Sequence, residues 1–125
     1  MDKKILILIA EDDEFLQKIL RIKVEKQGFA TVLAGDGEVA LSAARSTLPD
    51  LILLDMIMPK KTGFEALAEM KKDEKLKNIP VIALSNLGQE GDIKKCMELG
   101  AVDYLIKSNI EINDLIKKVN QWIKK

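Results

Sequence analysis

The chain has 125 residues, the usual length of one domain, and 47% of them are hydrophobic, which is enough for a compact core. Lysine plus arginine and aspartate plus glutamate both number 20, so the zero net charge argues against direct binding of nucleic acid or anionic lipid. With no histidine and one cysteine, Cys96, the sequence excludes histidine-dependent nucleophilic triads, an intrachain disulfide and a cysteine-based metal site.

Five short apolar segments mark the predicted strands: residues 5–10, 30–34, 51–54, 81–84 and 102–106. The first, third and fourth are nearly continuous apolar runs, which is typical of strands covered on both faces of a parallel sheet. None is long enough to span a bilayer, and the acidic residues after the first run replace the small residues that a leader's cleavage site would need. We therefore expect a cytoplasmic protein without membrane insertion.

The first predicted helix lies between the first two strands. Asp13 is placed to cap its start, and Gly28 is placed to end it in a left-handed conformation. Its predicted apolar stripe consists of Phe15, Leu16, Ile19 and Leu20.

Two later helices also have clear boundaries. Thr62 and Glu65 have the spacing of a capping box at the start of the third helix, and Ser108 and Glu111 have the same spacing before the last. The last helix has an apolar stripe made of Ile112, Leu115, Ile116, Val119, Trp122 and Ile123. Five repeats of strand and helix predict that residues 1–125 form one doubly wound α/β domain with five parallel strands, five helices and right-handed crossovers.

Polar side chains follow the carboxyl ends of four predicted strands. Glu11 and Asp12 follow the first strand, Asp55 the third, Ser85 the fourth and Lys107 the fifth. Open parallel sheets bind ligands beyond these ends, at the point where the strand order reverses. If the strand order is 2-1-3-4-5, the three acidic residues converge at that point.

Three converging carboxylates need a compensating charge. A pair about 4 Å apart repels by roughly 4 kcal/mol at an effective dielectric of about 20. Oxygen ligands favour a hard cation such as Mg²⁺, and Lys107 adds a second positive charge. Such a site suits a phosphoryl group, with Asp55 as a nucleophile that forms an aspartyl phosphate and Ser85 as a hydrogen-bond donor.

The sequence resembles the bacterial response-regulator receiver domains of two-component systems along essentially its whole length. The motifs that carry the resemblance are, in order, ILILIAEDD, DLILLDMIMPKKTG, PVIALSN and GAVDYLIK. Each fragment is weak alone, but the four together, at the family's spacing, are specific. The resemblance implies a flavodoxin-like sheet with the order 2-1-3-4-5.

The resemblance also implies a phosphoacceptor and a metal site. Asp55, which precedes a short loop ending in proline, corresponds to the family's phosphoacceptor. Glu11 and Asp12 correspond to the acids that bind Mg²⁺, with Asp12 as the more direct ligand. The carbonyl of Ile57 corresponds to the usual remaining protein ligand.

Three further residues correspond to the family's switch. Lys107 pairs with the phosphoryl group, the Ser85 hydroxyl turns towards it, and Tyr104 changes rotamer together with Ser85. Gly88 and Gly91 would let the start of the fourth helix rearrange. The chain would receive its phosphoryl group from a histidine kinase or a histidine phosphotransfer protein, and it would signal by binding a separate output protein. It is not expected to be an enzyme acting on an outside substrate.

The sequence departs from the family in three places. Ser108 stands where most members have proline after the strand-five lysine, so a cis peptide is not expected there. Asn86 follows Ser85 where a small residue is common, which would narrow access to Asp55. Ile57 and Leu87 occupy positions that are often polar, and since neither can orient a water molecule, we expect slow loss of the phosphoryl group.

Three other functions fit parts of the pattern. A Mg²⁺-dependent phosphohydrolase also uses an aspartate nucleophile, but commonly has a second acid two residues on, where this chain has Ile57. A flavin-binding module of the same fold would have hydroxyls and glycines after the first strand rather than three acids. The third is a receiver-like module that binds its partners without phosphorylation.

Overall fold

The computed structural model of the chain describes residues 4–86, 90–109 and 111–123. The strands are β1 (Leu6–Ala10), β2 (Ala30–Ala34), β3 (Leu51–Asp55), β4 (Val81–Ser85) and β5 (Asp103–Ile106). The helices are α1 (Glu14–Lys26), α2 (Gly37–Thr47), α3 (Gly63–Lys72), α4 (Glu90–Glu98) and α5 (Ile112–Trp122), with a 3₁₀ turn at Lys107–Asn109. Leu87 and Gly88 lie outside the described residues. No described helix has both the length and the apolar character needed to cross a membrane.

The five strands form one parallel sheet in the order β2-β1-β3-β4-β5, as predicted. Ala10, the last residue of β1, is paired with Leu54 of β3. This register places the residue that follows each of them, Glu11 and Asp55, at the same edge of the sheet. The strand order therefore creates the predicted meeting point of the acidic residues.

The sheet is covered on both faces, which explains the continuous apolar runs of its inner strands. Every residue of β3 and β4 is buried. One core layer packs the sheet against α2, α3 and α4, and the other packs it against α1 and α5. Each fully buried leucine or isoleucine contributes about 1.5–3 kcal/mol through removal of its side chain from water. The strand ends that carry the polar residues are therefore held by a rigid core.

The structure confirms the predicted caps of two helices. The Asp13 carboxylate accepts hydrogen bonds from the backbone N–H groups of Phe15 and Leu16 at the start of α1. Thr62 and Glu65 form a reciprocal capping box at the start of α3. Gly28 has a φ of 94° just after α1, in the left-handed region expected for it.

The predicted apolar stripe of α1 was wrong at Phe15, whose side chain is 75% exposed. The residues of α1 that pack towards the sheet are Leu16, Leu20 and Val24, which are spaced four positions apart. Phe15 precedes this row by one position, and a helix turns by about 100° per residue. Its ring therefore points into solvent near the start of α1.

The predicted capping box at Ser108 and Glu111 was also wrong. Ser108 lies inside the 3₁₀ turn, and Glu111 is the N-cap of α5 but makes no side-chain cap hydrogen bond. The apolar residues of α5 form one face, as predicted, and this face packs on the α1 side of the sheet. The start of α5 is thus set by the position of this apolar face rather than by a local cap. No cis peptide bond occurs in the described backbone.

Lys60 has a left-handed backbone conformation, with a φ of 67°, in the loop after β3. Its side chain is largely exposed and lies 3.9 Å from Asp36, so this ion pair adds little stability. We expect Lys60→Gly to raise the free energy of unfolding by about 0.5–1 kcal/mol, because glycine adopts positive φ without a Cβ clash. Urea unfolding tests this, with Lys60→Ala as the control. An equal gain in Lys60→Ala would show that backbone strain is not the cause.

Candidate functional site

The predicted site residues at the ends of β1 and β3 meet the lysine that follows β5. The Lys107 ammonium lies 3.0 Å from the Asp55 Oδ2 atom and 2.9 and 3.0 Å from the two carboxylate oxygens of Glu11. Glu11 is completely buried and Asp55 nearly so. One lysine therefore bridges two buried carboxylates from neighbouring strands and compensates one of their two negative charges.

The same cluster offers oxygen ligands for a hard cation. Glu11, Asp12 and Asp55 each offer one carboxylate oxygen, and these three atoms lie within 4.8 Å of one another. Among the described residues, the buried Oε1 atom of Glu11 receives no well-aligned hydrogen bond, although Lys107 is close to it. An all-oxygen set with an unsatisfied buried acceptor fits Mg²⁺. Asp12 is exposed, so it forms the solvent side of the cluster.

Burial perturbs the protonation of this cluster. It raises the pKa of Glu11 from 4.5 to about 7, against the opposing effect of hydrogen bonds from the Asp13 backbone and from Lys107. Burial also raises the pKa of Asp55, although hydrogen bonds from Lys107 and Ile57 oppose it. Burial lowers the pKa of Lys107, but its bonds to the two carboxylates outweigh burial and raise the pKa overall. Without a metal ion, the folded cluster therefore favours an additional proton.

This proton makes the stability of the metal-free protein depend on pH. Because the pKa of Glu11 is about 7 in the folded state and 4.5 ordinarily, its contribution is full below pH 4.5 and is lost as pH rises to about 7. We expect the free energy of unfolding in EDTA to fall by an amount on the order of 3 kcal/mol over this interval. Glu11→Gln should reduce this dependence of the free energy of unfolding on pH, since the glutamine amide does not titrate.

Denaturant unfolding at a series of pH values measures this effect. The control is Glu14→Gln, which removes an acid from the first turn of α1, three residues away in the sequence. It should keep the wild-type pH dependence. An unchanged pH dependence in Glu11→Gln would contradict the assignment.

Ile57 and Ser85 border the cluster. The Ile57 N–H group donates a hydrogen bond of 3.2 Å to the Oδ1 atom of Asp55, and its side chain is 53% exposed. Ser85 is buried at the end of β4, the strand next to Asp55, and is paired in register with Ile106. Both residues thus lie where the sequence predicts. Their roles as carbonyl ligand and phosphoryl donor stay predictions.

Tyr104 lies on β5, the edge strand, opposite Ala83. It is half-buried and packs against the core layer that contains α2 and α3. Its neighbour Asp103 accepts hydrogen bonds from Lys118 at 2.8 Å and from the Trp122 indole at 3.1 Å, which tie β5 to α5. Sequence reasoning missed this link because it joins different elements, and no local spacing signals it. The switch role of Tyr104 stays a prediction.

Gln17 is a second residue that sequence reasoning missed. Its side-chain amide donates hydrogen bonds to the backbone carbonyls of Glu11, at 3.0 Å, and Ala34, at 3.1 Å. The contact depends on the pairing of β1 with β2. The only sequence signal was a glutamine between the apolar residues of α1.

Comparison with known sequences gives one family for this chain. The family model described as "Response regulator receiver domain" matches residues 7–120. Among curated proteins, the probable transcriptional regulator ycf27 of Guillardia theta is 36% identical over 107 residues, covering 86% of this chain and 41% of the relative. The polar-differentiation response regulator DivK of Brucella ovis is 33% identical over 117 residues, covering 94% of each chain. This chain thus spans less than half of the first relative and nearly all of the second.

Comparison with solved structures agrees. The receiver domain of a Francisella response regulator superposes with a TM-score of 0.89 and 32% identity, covering 95% of this chain and 96% of that one. The receiver domain of a sensor histidine kinase from Pseudomonas aeruginosa PAO1 gives a TM-score of 0.88 and 28% identity, covering 96% and 98%. That structure has a magnesium ion coordinated in its active site cleft.

Proposed function

This chain belongs to the response-regulator receiver domains, and from that premise we propose that Asp55 is its phosphoacceptor in a Mg²⁺-dependent switch. The observation that carries the proposal is the bridge from Lys107 to Asp55 and Glu11 at the edge of the sheet. It supplies a nucleophilic carboxylate and a fixed cation at one point. Mg²⁺-dependent phosphorylation that is lost in Asp55→Ala is the test.

The chemistry assigned to Asp55 is transfer of a phosphoryl group from a histidine of a partner protein. One Asp55 oxygen attacks phosphorus, a P–O bond forms, and the P–N bond to the histidine breaks, with its electron pair returning to the imidazole. Lys107 neutralises the oxygens of the arriving group. The N–H group of Ile57 holds the other oxygen of Asp55 in place.

Glu11, Asp12, Asp55 and the carbonyl of Ile57 are the groups that would hold Mg²⁺. When bound, the ion supplies positive charge for the phosphoryl oxygens and relieves the repulsion among the carboxylates. The magnesium ion in the cleft of the Pseudomonas receiver domain supports this assignment.

Signalling follows from a shift between two conformations. A phosphoryl group adds about 1.5–2 negative charges, and the conformation in which Ser85 and Lys107 both contact it gains population. Tyr104 would change rotamer with Ser85 and alter the surface around β5. The partners are a histidine kinase or phosphotransfer protein and a separate output protein, all acting in the cytoplasm. The chain acts on its own phosphoryl group rather than on an outside substrate.

The exposed Ile57 side chain should make the phosphoryl group long-lived. It lies beside Asp55 and has no polar atom that could orient an attacking water molecule. We expect Ile57→Asn to shorten the lifetime of phosphorylated Asp55 by roughly tenfold, less than the hundredfold or more of a full general base. The lifetime is measured by intact mass after removal of the donor. Ile57→Val is the control, and an unchanged lifetime in Ile57→Asn would contradict the expectation.

A further inference from the structure

Gln17 joins α1 to the ends of two strands at the proposed metal site. Its Nε2 group donates to the carbonyl oxygen of Glu11 at 3.0 Å and to that of Ala34 at 3.1 Å. The N–H group of Glu11 donates to the same Ala34 carbonyl at 3.0 Å. One side-chain amide therefore binds both backbone carbonyls at the end of the paired region of β1 and β2.

The Glu11 carbonyl needs such a donor because the strands stop pairing there, whereas the Ala34 carbonyl also accepts the bond from the Glu11 N–H group. The last paired residues are Ala10 and Ala34, so Glu11 is the first residue beyond the regular ladder. A half-buried carbonyl that loses its donor costs about 1–3 kcal/mol unless water replaces it. Gln17 is itself half-buried, which restricts such replacement.

The acidic turn, residues 11–13, is held at three points by hydrogen bonds of Glu11, besides the contact of the Glu11 carboxylate with Lys107. The Glu11 N–H group binds the Ala34 carbonyl, the Glu11 carbonyl binds Gln17, and the Glu11 carboxylate accepts a 2.9 Å bond from the Asp13 N–H group. Asp12 lies between the second and third of these points. Its carboxylate oxygen lies within 4.8 Å of those of Glu11 and Asp55. The direction of the Asp12 side chain follows from the orientation of the peptides on each side of it.

The other contacts of α1 do not replace this restraint. The cap from Asp13 and the packing of Leu16 and Leu20 hold the helix itself. Neither contacts the carbonyl of Glu11. Gln17 is thus the side chain that joins α1 to the Glu11 carbonyl, while its backbone N–H group separately joins α1 to the Asp13 carbonyl at 2.9 Å.

We propose that Gln17 is a positioning residue for Mg²⁺: it orients the backbone of the acidic turn so that Glu11 and Asp12 bind the ion together with Asp55. The inference rests on the proposed function, since it concerns the same metal site. It assigns no contact between Gln17 and the ion. If Gln17 has this role, its replacement lowers the affinity for Mg²⁺ although all the residues that bind the ion are still present.

The test compares Mg²⁺ binding in the metal-free chain and in two variants. Gln17→Met keeps the length and helix preference of the side chain but removes both donors. Gln27→Met makes the same change at an exposed position after α1. Amide chemical shifts are followed through an MgCl₂ titration, and urea unfolding in EDTA gives the stability of each protein. We expect the Kd for Mg²⁺ to rise about tenfold in Gln17→Met, as for loss of an outer-shell partner, and to stay at the wild-type value in Gln27→Met.

Gln17→Glu separates positioning from charge. An added carboxylate near the cluster would tighten Mg²⁺ binding if charge alone mattered, whereas loss of the two donors should weaken it. Tighter binding in Gln17→Glu, or a wild-type Kd in Gln17→Met with only its stability lowered, would overturn the positioning role. Absence of Mg²⁺ binding in the wild-type chain would instead overturn the metal site of the proposed function.

Discussion

Replacement of Asp55 by alanine is expected to abolish Mg²⁺-dependent phosphorylation of this chain completely. Asp55 is buried at the end of β3, and its two oxygens are held by Lys107 and by the N–H group of Ile57. Glu11 and Asp12 lie close enough to share a cation with it, but they follow β1 and form the other side of the cluster. Alanine removes the attacking oxygen, so no covalent bond to phosphorus can form.

Intact mass after incubation with Mg²⁺ and a small acyl phosphate measures this result. The wild-type chain should gain the mass of one phosphoryl group, and EDTA should prevent the gain. The matched control is Asp50→Asn, since the Asp50 carboxylate accepts a bond from the Leu6 N–H group at the opposite end of the sheet. If the Asp55→Ala variant still gained a phosphoryl group, a residue other than Asp55 would be the phosphoacceptor. No gain in the wild-type chain, with the small donor or with several phosphorylated histidine kinases, would favour a phosphorylation-independent binding module.

Replacement of Lys107 by methionine is expected to give the second large effect, a loss of stability in the metal-free protein. The Lys107 side chain is only 12% exposed and bridges two buried carboxylates. Removing one partner of such a bridge leaves uncompensated charge and costs about 3–5 kcal/mol. The loss should be larger at pH 8 than at pH 5, because a proton on the carboxylate pair, which is favoured at lower pH, compensates for the missing cation.

Urea unfolding of Lys107→Met in EDTA, at pH 8 and at pH 5, tests this. Lys118→Met is the control, because Lys118 pairs with Asp103 at a more exposed position and should contribute about 1 kcal/mol or less. Mg²⁺ should stabilise Lys107→Met more than the wild type, since the ion supplies the charge that the variant lacks. Equal stability losses in the two variants would show that Lys107 does not compensate the buried acids.

Much of the architecture could be predicted because its signals are local. Continuous apolar runs indicated β1, β3 and β4, and the cap at Asp13 and the capping box at Thr62 involve partners within three residues. The predictions that failed, at Phe15 and Ser108, concerned which of several adjacent residues faces the sheet or starts a helix. Packing decides those choices, since a shift of one residue turns a helix face by about 100°.

The alternation of strands and helices, the apolar core and the set of polar residues at the strand ends could all be read from the amino-acid order. Those features depend on residue type and on spacing within one element. The contact of one Lys107 ammonium with both Glu11 and Asp55, from which it is separated by 96 and 52 positions, became visible in the folded chain. So did the bond from Gln17 to the backbone of the acidic turn. Such contacts depend on the order and register of strands that are distant in the chain, and the periodicity of a single segment carries no information about either.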